Sequence, residues 1–211
     1  YVDCIAANPP FGGVVKDGTE HNFPSNFRTK ETADLFLILF IRLLKQGGRA
    51  GIVLPDGFLF GDGAKARIKQ HLLEECNLHT IIRLPGSVFA PYTSIATNLL
   101  FFTKGEPTKD IWYYEHRLPE GVKAYNKTKP IRVEEFEPIK DWWENRVESD
   151  VSWKVSIEEI KKRGYNLDIK NPNIVEIDEL NPEEVLADYR AKQAEVKAIL
   201  EKIKSELTEA L

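Results

Sequence analysis

The sequence predicts an α/β fold built on a mainly parallel sheet. Apolar runs with the length of strands recur along the chain, at residues 1–7, 49–54, 78–84 and 96–102. Helical patterns separate the first three of these runs, at residues 32–46 and 62–76. Strands that alternate with helices are joined by crossover connections, and such connections place the strands parallel in one sheet.

The first predicted strand ends at Asn8-Pro9-Pro10, because two prolines cannot continue a ladder of hydrogen bonds. A connection covering residues 12–30 follows, and connections of this length are usually functional or mobile. The segment 32–46 is apolar nearly all round, which is typical of a helix buried against a sheet. Gly47 and Gly48 would end that helix.

Single residues mark the ends of the next predicted strands and helices. Pro55 ends the strand 49–54, and Asp62 can cap the helix after it. A short edge strand is expected at residues 111–114, and a short helix at residues 136–144.

Two further helix starts are visible late in the chain. Ser156 and Glu159 form a capping box that would open a helix over residues 157–163. Asn181 can cap a long final helix that has Pro182 in its first position.

Size and composition exclude several classes of protein. The chain has 211 residues and a mass of 24.1 kDa, which fits one ordinary domain with an appendage. Hydrophobic residues make up 42%, so the chain is neither disordered nor collagen-like. The longest apolar run, residues 35–41, is far shorter than the roughly 18 residues of a membrane span. Cys4 and Cys76 lack metal-ligand spacing, so neither a zinc site nor a disulfide framework is indicated, and a reducing cytoplasm is the expected compartment.

The start of the chain predicts a fragment. No methionine occurs, and Tyr1 lies inside what reads as a buried strand, without a leader of the signal-peptide type. We therefore read the chain as a fragment cut from a longer protein.

The charge is unevenly distributed. The 29 basic and 33 acidic residues give a net charge of −4. Residues 174–211 contribute −5 of it, which leaves +1 for residues 1–173. A protein that grips a polyanion over its whole surface is therefore excluded, and contact with nucleic acid must come from a local patch or a partner.

The most informative motif is Asn8-Pro9-Pro10-Phe11, because ligands of open parallel sheets bind outside the strand ends. Asn8 offers a side-chain carbonyl, Pro9 a backbone carbonyl held by its fixed φ, and Phe11 a flat apolar face. Two converging acceptors and a stacking ring suit a planar amino group, such as N6 of adenine. The alternative for a match of four residues is a proline turn with a buried phenylalanine.

This motif and three further segments resemble the N6-adenine DNA methyltransferases, in particular the modification subunit of type I restriction-modification systems. The segments are Phe36 to Gly57, Ile82-Arg83-Leu84-Pro85 and Thr97-Asn98-Leu99-Leu100-Phe101-Phe102. The resemblance is strong over residues 1–105 and continues more weakly through Tyr165-Asn166-Leu167-Asp168. The chain would then be a C-terminal fragment of such a subunit.

The resemblance implies a class I, Rossmann-like methyltransferase sheet without its N-terminal strands, with S-adenosylmethionine as methyl donor and an adenine flipped out of double-stranded DNA as substrate. Residues 1–130 would be the C-terminal half of the catalytic domain, residues 131–173 an irregular α/β extension and residues 174–211 an acidic amphipathic helical tail.

The resemblance also assigns roles to the motif. Asn8 and the carbonyl of Pro9 would accept hydrogen bonds from the target amino group, and Phe11 would stack on the base. Pro10 belongs to the same catalytic motif.

The connection 12–30 is a candidate DNA contact. It carries Lys16, Arg28 and Lys30 interleaved with Phe23 and Phe27, a combination suited to phosphate contact and strand packing near a flipped base. The alternative is a solvated loop.

Other conspicuous side chains are expected to be structural. His71 and His79 flank the end of a predicted helix. The tryptophans are expected to anchor the core or an interface, and they are Trp112, Trp142, Trp143 and Trp153.

Most of a cofactor site is not visible in the sequence. The family places its glycine-rich motif, and the acidic residue that binds the ribose, before Asn-Pro-Pro-Phe, and neither occurs in this chain. Gly57, Gly61 and Gly63 do not form a dinucleotide fingerprint. We therefore expect Asn8 to lie at the edge of a cofactor pocket whose remainder is missing, and the fragment alone to be inactive. The resemblance also implies that the strand 1–7 would normally lie beside a strand that is absent here, so we expect it to be an exposed apolar edge.

The tail carries the seam of a coiled coil. Its members are spaced alternately three and four apart, and they are Leu186, Tyr189, Gln193, Val196, Leu200, Ile203, Leu207 and Ala210. Such a helix packs either on its own domain or on a partner. By resemblance, the partner would be the long helices of the specificity subunit, and a restriction subunit would complete the system.

Two other functions stay open at this point. One is methylation of a different planar amino group, such as a protein glutamine or an RNA base. The other is a non-catalytic assembly module whose function is to bind a partner through the tail. The target DNA sequence cannot be read from this chain, because the resemblance assigns that choice to the specificity subunit.

Overall fold

The computed structural model describes residues 1–173 and 182–209, and the chain divides into two compact units, residues 1–173 and 174–211. Among the described residues, the strands are β1 Val2–Ala7, β2 Leu44–Pro55, β3 Cys76–Leu84, β4 Thr97–Lys104, β5 Asp110–Glu115 and β6 Ser152–Ser156. The α-helices are α1 Thr32–Leu43, α2 Asp56–Phe60, α3 Ala64–Glu75, α4 Glu137–Glu144, α5 Ile157–Lys162 and α6 Pro182–Glu209. Short 3-10 helices cover Thr19–Asn22, Ser25–Phe27 and Val133–Phe136.

The six strands form one mixed sheet in the order β1-β2-β4-β3-β5-β6. The α/β class is confirmed, but the expectation of a mainly parallel sheet is wrong. Only β1 with β2 and β3 with β5 pair in parallel, whereas β4 is antiparallel to both β2 and β3, and β6 is antiparallel to β5. The connection between β3 and β4, residues 85–96, contains no helix, so the chain turns back beside β3 and β4 fits between β2 and β3.

The first helix ends earlier than its sequence predicts. Helix α1 stops at Leu43, and β2 begins directly at Leu44. Gly47, with φ of 74°, lies within the strand, where the partners of β1 jump from Leu44 to Arg49. The glycines therefore form an irregularity in β2 instead of ending the helix, because hydrogen bonding to β1 competes with continued helix.

The region after β2 also differs from expectation. The unpredicted helix α2 begins at Asp56, directly after Pro55. Helix α3 begins at Ala64 with Gly63 in the capping position, so Asp62 is not its cap. The predicted cap of α5 is correct, because the Ser156 hydroxyl accepts a hydrogen bond from the Glu159 N–H at 3.4 Å.

Strand β1 lies at the margin of the sheet, as expected, and four of its six residues are exposed. Strand β5 was expected at an edge but lies between β3 and β6. The unpredicted β6 covers it, with Tyr113 opposite Trp153 in the pairing and the two rings stacked at 5.4 Å.

Both faces of the sheet are covered. Leu100 and Phe102 of β4 join the large core beneath α1 and α3. Leu99 and Phe101, which point to the opposite face, join a second cluster with α4.

The tryptophans are core residues, as predicted. Trp142 and Trp153 are buried, and Trp112 and Trp143 pack against the second cluster. The described helices are all too short or too polar to cross a lipid bilayer.

The predicted cap of the last helix, Asn181, and the last seam residue, Ala210, lie outside the described residues. The boundary expected at residue 130 stays a prediction. Helix α6 itself runs through 28 residues, a length of about 42 Å at ~1.5 Å per residue.

Candidate active site

The Asn-Pro-Pro-Phe motif lies where the parallel strands end. Asn8 follows β1 directly, and Ala7 of β1 lies opposite Ile52 of β2. Because β2 and β3 are both antiparallel to β4, they run in the same direction, and their carboxyl ends share an edge of the sheet with Asn8. Ligands of open α/β sheets bind at this edge.

Within the motif, burial alternates in a way that leaves the amide available. Pro9 is buried, while Asn8 and Pro10 are exposed and Phe11 is half-buried. The Asn8 side chain makes no hydrogen bond to any described residue, so its carboxamide oxygen is free to accept one from a ligand. The buried proline fixes the backbone that carries it.

The structure adds an aromatic residue that the sequence reasoning missed. Residues 85–96, called here the aromatic loop, follow β3 at the same edge. Phe89 of this loop contacts Phe11, with ring centroids 5.0 Å apart and planes at 75°. Tyr92 on the same loop is 93% exposed. The available signal was an aromatic loop directly after a strand that ends beside the motif.

The long connection after the motif is closed at its base. The Val15 N–H donates to the Lys30 carbonyl at 2.9 Å, and the Thr32 N–H donates to the Gly13 carbonyl at 3.2 Å. The predicted DNA-contact residues Lys16 and Lys30 are therefore brought close together by their backbone neighbours, within a loop whose two ends meet.

The three predicted basic contacts are exposed, and two have partners inside the loop. Lys30 Nζ lies 2.7 Å from Asp17 Oδ1. This hydrogen bond and the attraction of the charges lower the pKa of Asp17 and raise the pKa of Lys30. Arg28 Nε donates to the Phe23 carbonyl at 3.3 Å. Lys16 is exposed.

The two phenylalanines of the loop face the core. Phe23 and Phe27 pack against the large core cluster, and Phe27 also contacts the His71 ring at 4.7 Å between centroids. They anchor the loop on α3, and the structural role expected of His71 stays a prediction.

A polar group that we call the strand-end cluster lies at the same edge. It consists of Asp56, Arg83, Asn98 and Asp168. Arg83 Nη2 lies 2.7 Å from Asp168 Oδ1, and Asn98 Nδ2 donates to Asp56 Oδ1 at 2.8 Å. Each member comes from a different one of the segments that carry the family resemblance.

Among the side chains described, no group of three or more His, Cys, Asp or Glu is arranged to hold a metal ion. Both cysteines are free thiols, Cys4 exposed and Cys76 buried. The groups gathered at the edge are thus an amide oxygen, two aromatic rings and a polar cluster.

The chain is similar in sequence and in structure to known proteins. The sequence is 54% identical to the type I restriction enzyme EcoEI methylase subunit of Escherichia coli, over all of this chain and 44% of that protein. A solved structure from work on complex assembly and conformational transition of the type I R-M system matches with a TM-score of 0.76 and 42% identity, over 98% of this chain and 45% of that one. The crystal structure of the EcoKI M protein matches with a TM-score of 0.64 and 25% identity, over 97% and 50%.

The chain thus spans about half the length, or less, of the relatives it matches. The family model described as N-6 DNA Methylase matches residues 1–179. With that match, the mixed sheet and the Asn-Pro-Pro-Phe turn at its edge, the chain belongs to the N-6 DNA methylase family.

Proposed function

We propose that this chain is part of a DNA adenine N6-methyltransferase, the modification subunit of a type I restriction-modification system. The observation that carries the proposal is the exposed Asn8 carboxamide at the end of β1, free of hydrogen bonds to the described residues and three residues before Phe11, whose ring contacts Phe89. The similarity to methylase subunits of type I enzymes supports it.

The chemistry needs acceptors at the amino group rather than a strong base. An aromatic amine is a poor nucleophile, because its lone pair is delocalised into the ring. Acceptors aimed at its two hydrogens, from Asn8 and the Pro9 carbonyl, favour the pyramidal nitrogen that attacks a methyl group. The motif thereby stabilises developing charge and aligns the nitrogen.

The two aromatic rings suit a flipped base. Planes at 75° offer a face to one side of the purine and an edge to another. Phe11 stacks on the base, and Phe89 borders it. Extrusion of an adenine from the duplex is required, since its stacked neighbours cover the faces of the base, from which N6 would attack a methyl group.

S-adenosylmethionine would supply the electrophilic methyl group in this proposal, with its sulfonium S–C bond breaking as the N–C bond forms, S-adenosylhomocysteine leaving and the displaced N6 proton passing to solvent. Asn8 would contact it at the edge of its pocket, because its amide is exposed beside the strand end. The glycine-rich turn and acidic residue expected for the remainder of the pocket do not occur in residues 1–211. These residues fit the substrate side of the site better than the cofactor side.

Lys16, Arg28 and Lys30 would contact phosphates of double-stranded DNA near the flipped base. Lys30 would then exchange the Asp17 carboxylate for a phosphate oxygen. Because both partners of that ion pair are well exposed, the exchange is undemanding, and DNA binding through these residues should weaken as salt rises.

Helix α6 would bind the specificity subunit, and the restriction subunit would join the same assembly. Four seam residues of the described helix are 47 to 60% exposed, and they are Leu186, Tyr189, Val196 and Leu200. An apolar seam of this spacing is typical of packing against other long helices. A matching structure comes from work on complex assembly of the type I R-M system, which supports assembly with other subunits.

Methyl transfer tests the function directly. The complete modification subunit, assembled with its specificity subunit, would be given tritiated S-adenosylmethionine and genomic DNA free of N6-methyladenine. The Asn8→Ala variant should transfer about 10² to 10³ times more slowly, by analogy with removal of one preorganised hydrogen-bonding group. Methylation of protein or RNA instead of DNA would favour the alternative substrates. If the two subunits assemble but no DNA, RNA or protein is labelled, the non-catalytic module would be favoured.

A further inference from the structure

The strand-end cluster connects the two strand ends that flank the aromatic loop, called here its stems, through the carboxylate of Asp56. Arg83 precedes the loop, and Asn98 follows it. Asn98 Nδ2 donates to Asp56 Oδ1 at 2.8 Å, and Arg83 Nη2 lies 3.4 Å from the same oxygen. The Asp56 N–H also donates to the Ala96 carbonyl at 2.9 Å. Asp56, which begins α2, therefore holds the loop at both of its ends.

The second stem depends strongly on this carboxylate. Asn98 is fully buried, and its Oδ1 has no hydrogen-bond partner among the described residues. The bond to Asp56 is thus the one side-chain hydrogen bond of that buried amide. A buried amide without partners is unfavourable, so loss of the carboxylate should loosen the stem around Asn98.

The stems are close together, and the loop between them is internally bonded. A Cβ atom added to Gly86 would lie 2.9 Å from the Ser94 carbonyl oxygen, so only glycine allows this approach. Inside the loop, the Ala90 N–H donates to the Ser87 carbonyl at 3.0 Å, and the Thr93 N–H donates to the Phe89 carbonyl at 3.2 Å. A compact loop of this kind transmits the position of its stems to Phe89.

We propose that Asp56 is a positioning residue that holds the aromatic loop so that Phe89 stays against Phe11. The proposal rests on the proposed function, in which Phe11 receives the base. Asp56 acts through the loop, and its loss should weaken binding of the extruded base more than the chemical step.

Asp168, the other carboxylate that pairs with Arg83, offers a matched control. Arg83 Nη2 pairs with Asp168 Oδ1 at 2.7 Å, and its Nη1 donates to the Ile169 carbonyl at 3.0 Å. Asp168→Asn removes a carboxylate from the same cluster and the same arginine. It leaves the contacts of Asp56 with Asn98 and Ala96 in place.

The experiment compares wild type, Asp56→Ala, Asp56→Asn and Asp168→Asn in the complete modification subunit assembled with its specificity subunit. Amide hydrogen exchange is measured over residues 85–96 and, as an internal reference, over α3. Methyl transfer from tritiated S-adenosylmethionine to genomic DNA free of N6-methyladenine gives kcat and the KM for DNA.

With Asp56→Ala, exchange in the aromatic loop should rise about tenfold and the KM for DNA by a similar factor, while α3 and kcat change less than about threefold. Asp56→Asn keeps an acceptor for Asn98 but loses the charge facing Arg83, so it should be intermediate. Asp168→Asn should leave loop exchange and KM near wild type.

Loop exchange and KM that match wild type in a folded Asp56→Ala protein would overturn the proposal. Equal increases over the loop and α3 would also overturn it, since they indicate a general structural role. If Asp56→Ala does not fold, the same criteria apply to Asp56→Asn. A wild-type enzyme that labels no DNA refutes the proposed function, and loop exchange then still decides whether Asp56 holds the loop.

Discussion

Acidification should destabilise the fold through His79, a half-buried residue of β3. Its Nδ1 lies 2.9 Å from Thr80 Oγ1 and 3.5 Å from Arg146 Nη2. Its ring also meets Trp143 at 5.7 Å between centroids. A proton on this imidazole would place a second positive charge beside the Arg146 guanidinium, at a half-buried position.

The magnitude follows from the pKa. Burial, helped by the charge of Arg146, lowers the pKa of His79 from 6.5 to about 4. The unfolded chain therefore binds a proton between these values that the folded chain does not. The contribution of His79 to stability is complete above pH 6.5 and is lost as the pH falls toward 4. Because the side chain is partly exposed, solvent screening reduces this loss to roughly 1 kcal/mol at pH 5.

The free energy of unfolding by urea, followed by tryptophan fluorescence at pH 7.5 and pH 5.0, measures this loss. His79→Gln should lose roughly 1 kcal/mol less than wild type between the two pH values, because glutamine does not titrate. His21→Gln, at an exposed histidine, is the matched control and should behave as wild type. An equal loss in His79→Gln and wild type would refute the reasoning.

Three further predictions concern the core, the cofactor and the tail. Lys69 is fully buried and donates to the carbonyls of Leu59 at 2.7 Å and Gly61 at 2.8 Å, with a pKa lowered to about 8 by burial. As the pH rises, the folded chain loses this proton before the unfolded chain does. The melting temperature of the wild type, relative to that of Lys69→Met, should therefore rise from pH 8 to pH 10. A difference between the two proteins that stays constant with pH would contradict the assignment. Isothermal titration of residues 1–211 with S-adenosylmethionine should show no tight binding, and tight binding would overturn the view that most of the cofactor pocket lies elsewhere. Deletion of residues 181–211 from the complete modification subunit should abolish co-purification with the specificity subunit, whereas unchanged co-purification would count against the role of α6.

The local features of the fold could be predicted where one segment carries the whole signal. The capping of α5 by Ser156 and the burial of Trp142 and Trp153 follow from short patterns. The direction of β4 did not follow, because an apolar run has the same alternation whether its neighbour is parallel or antiparallel. Strand β6 was missed for a related reason, since its pairing partner lies far away in the chain.

The candidate site also has one part that could be recognised from the sequence and one part that could not. The motif Asn8 to Phe11 could be recognised because its four residues are contiguous and their chemistry is local. The association of Phe11 with Phe89, and the meeting of Arg83 and Asn98 on Asp56, could not be recognised, because these contacts join residues from separate strand ends.

Amino-acid order by itself determined which groups are available: an amide, two prolines and an aromatic ring at the end of a strand, and an apolar seam on a long helix. Tertiary structure decided which distant groups stand beside them and which carboxylate holds the loop that carries Phe89. The physical reason is that periodicity and turn chemistry are properties of neighbouring residues, whereas strand direction and packing arise only when remote segments share one core.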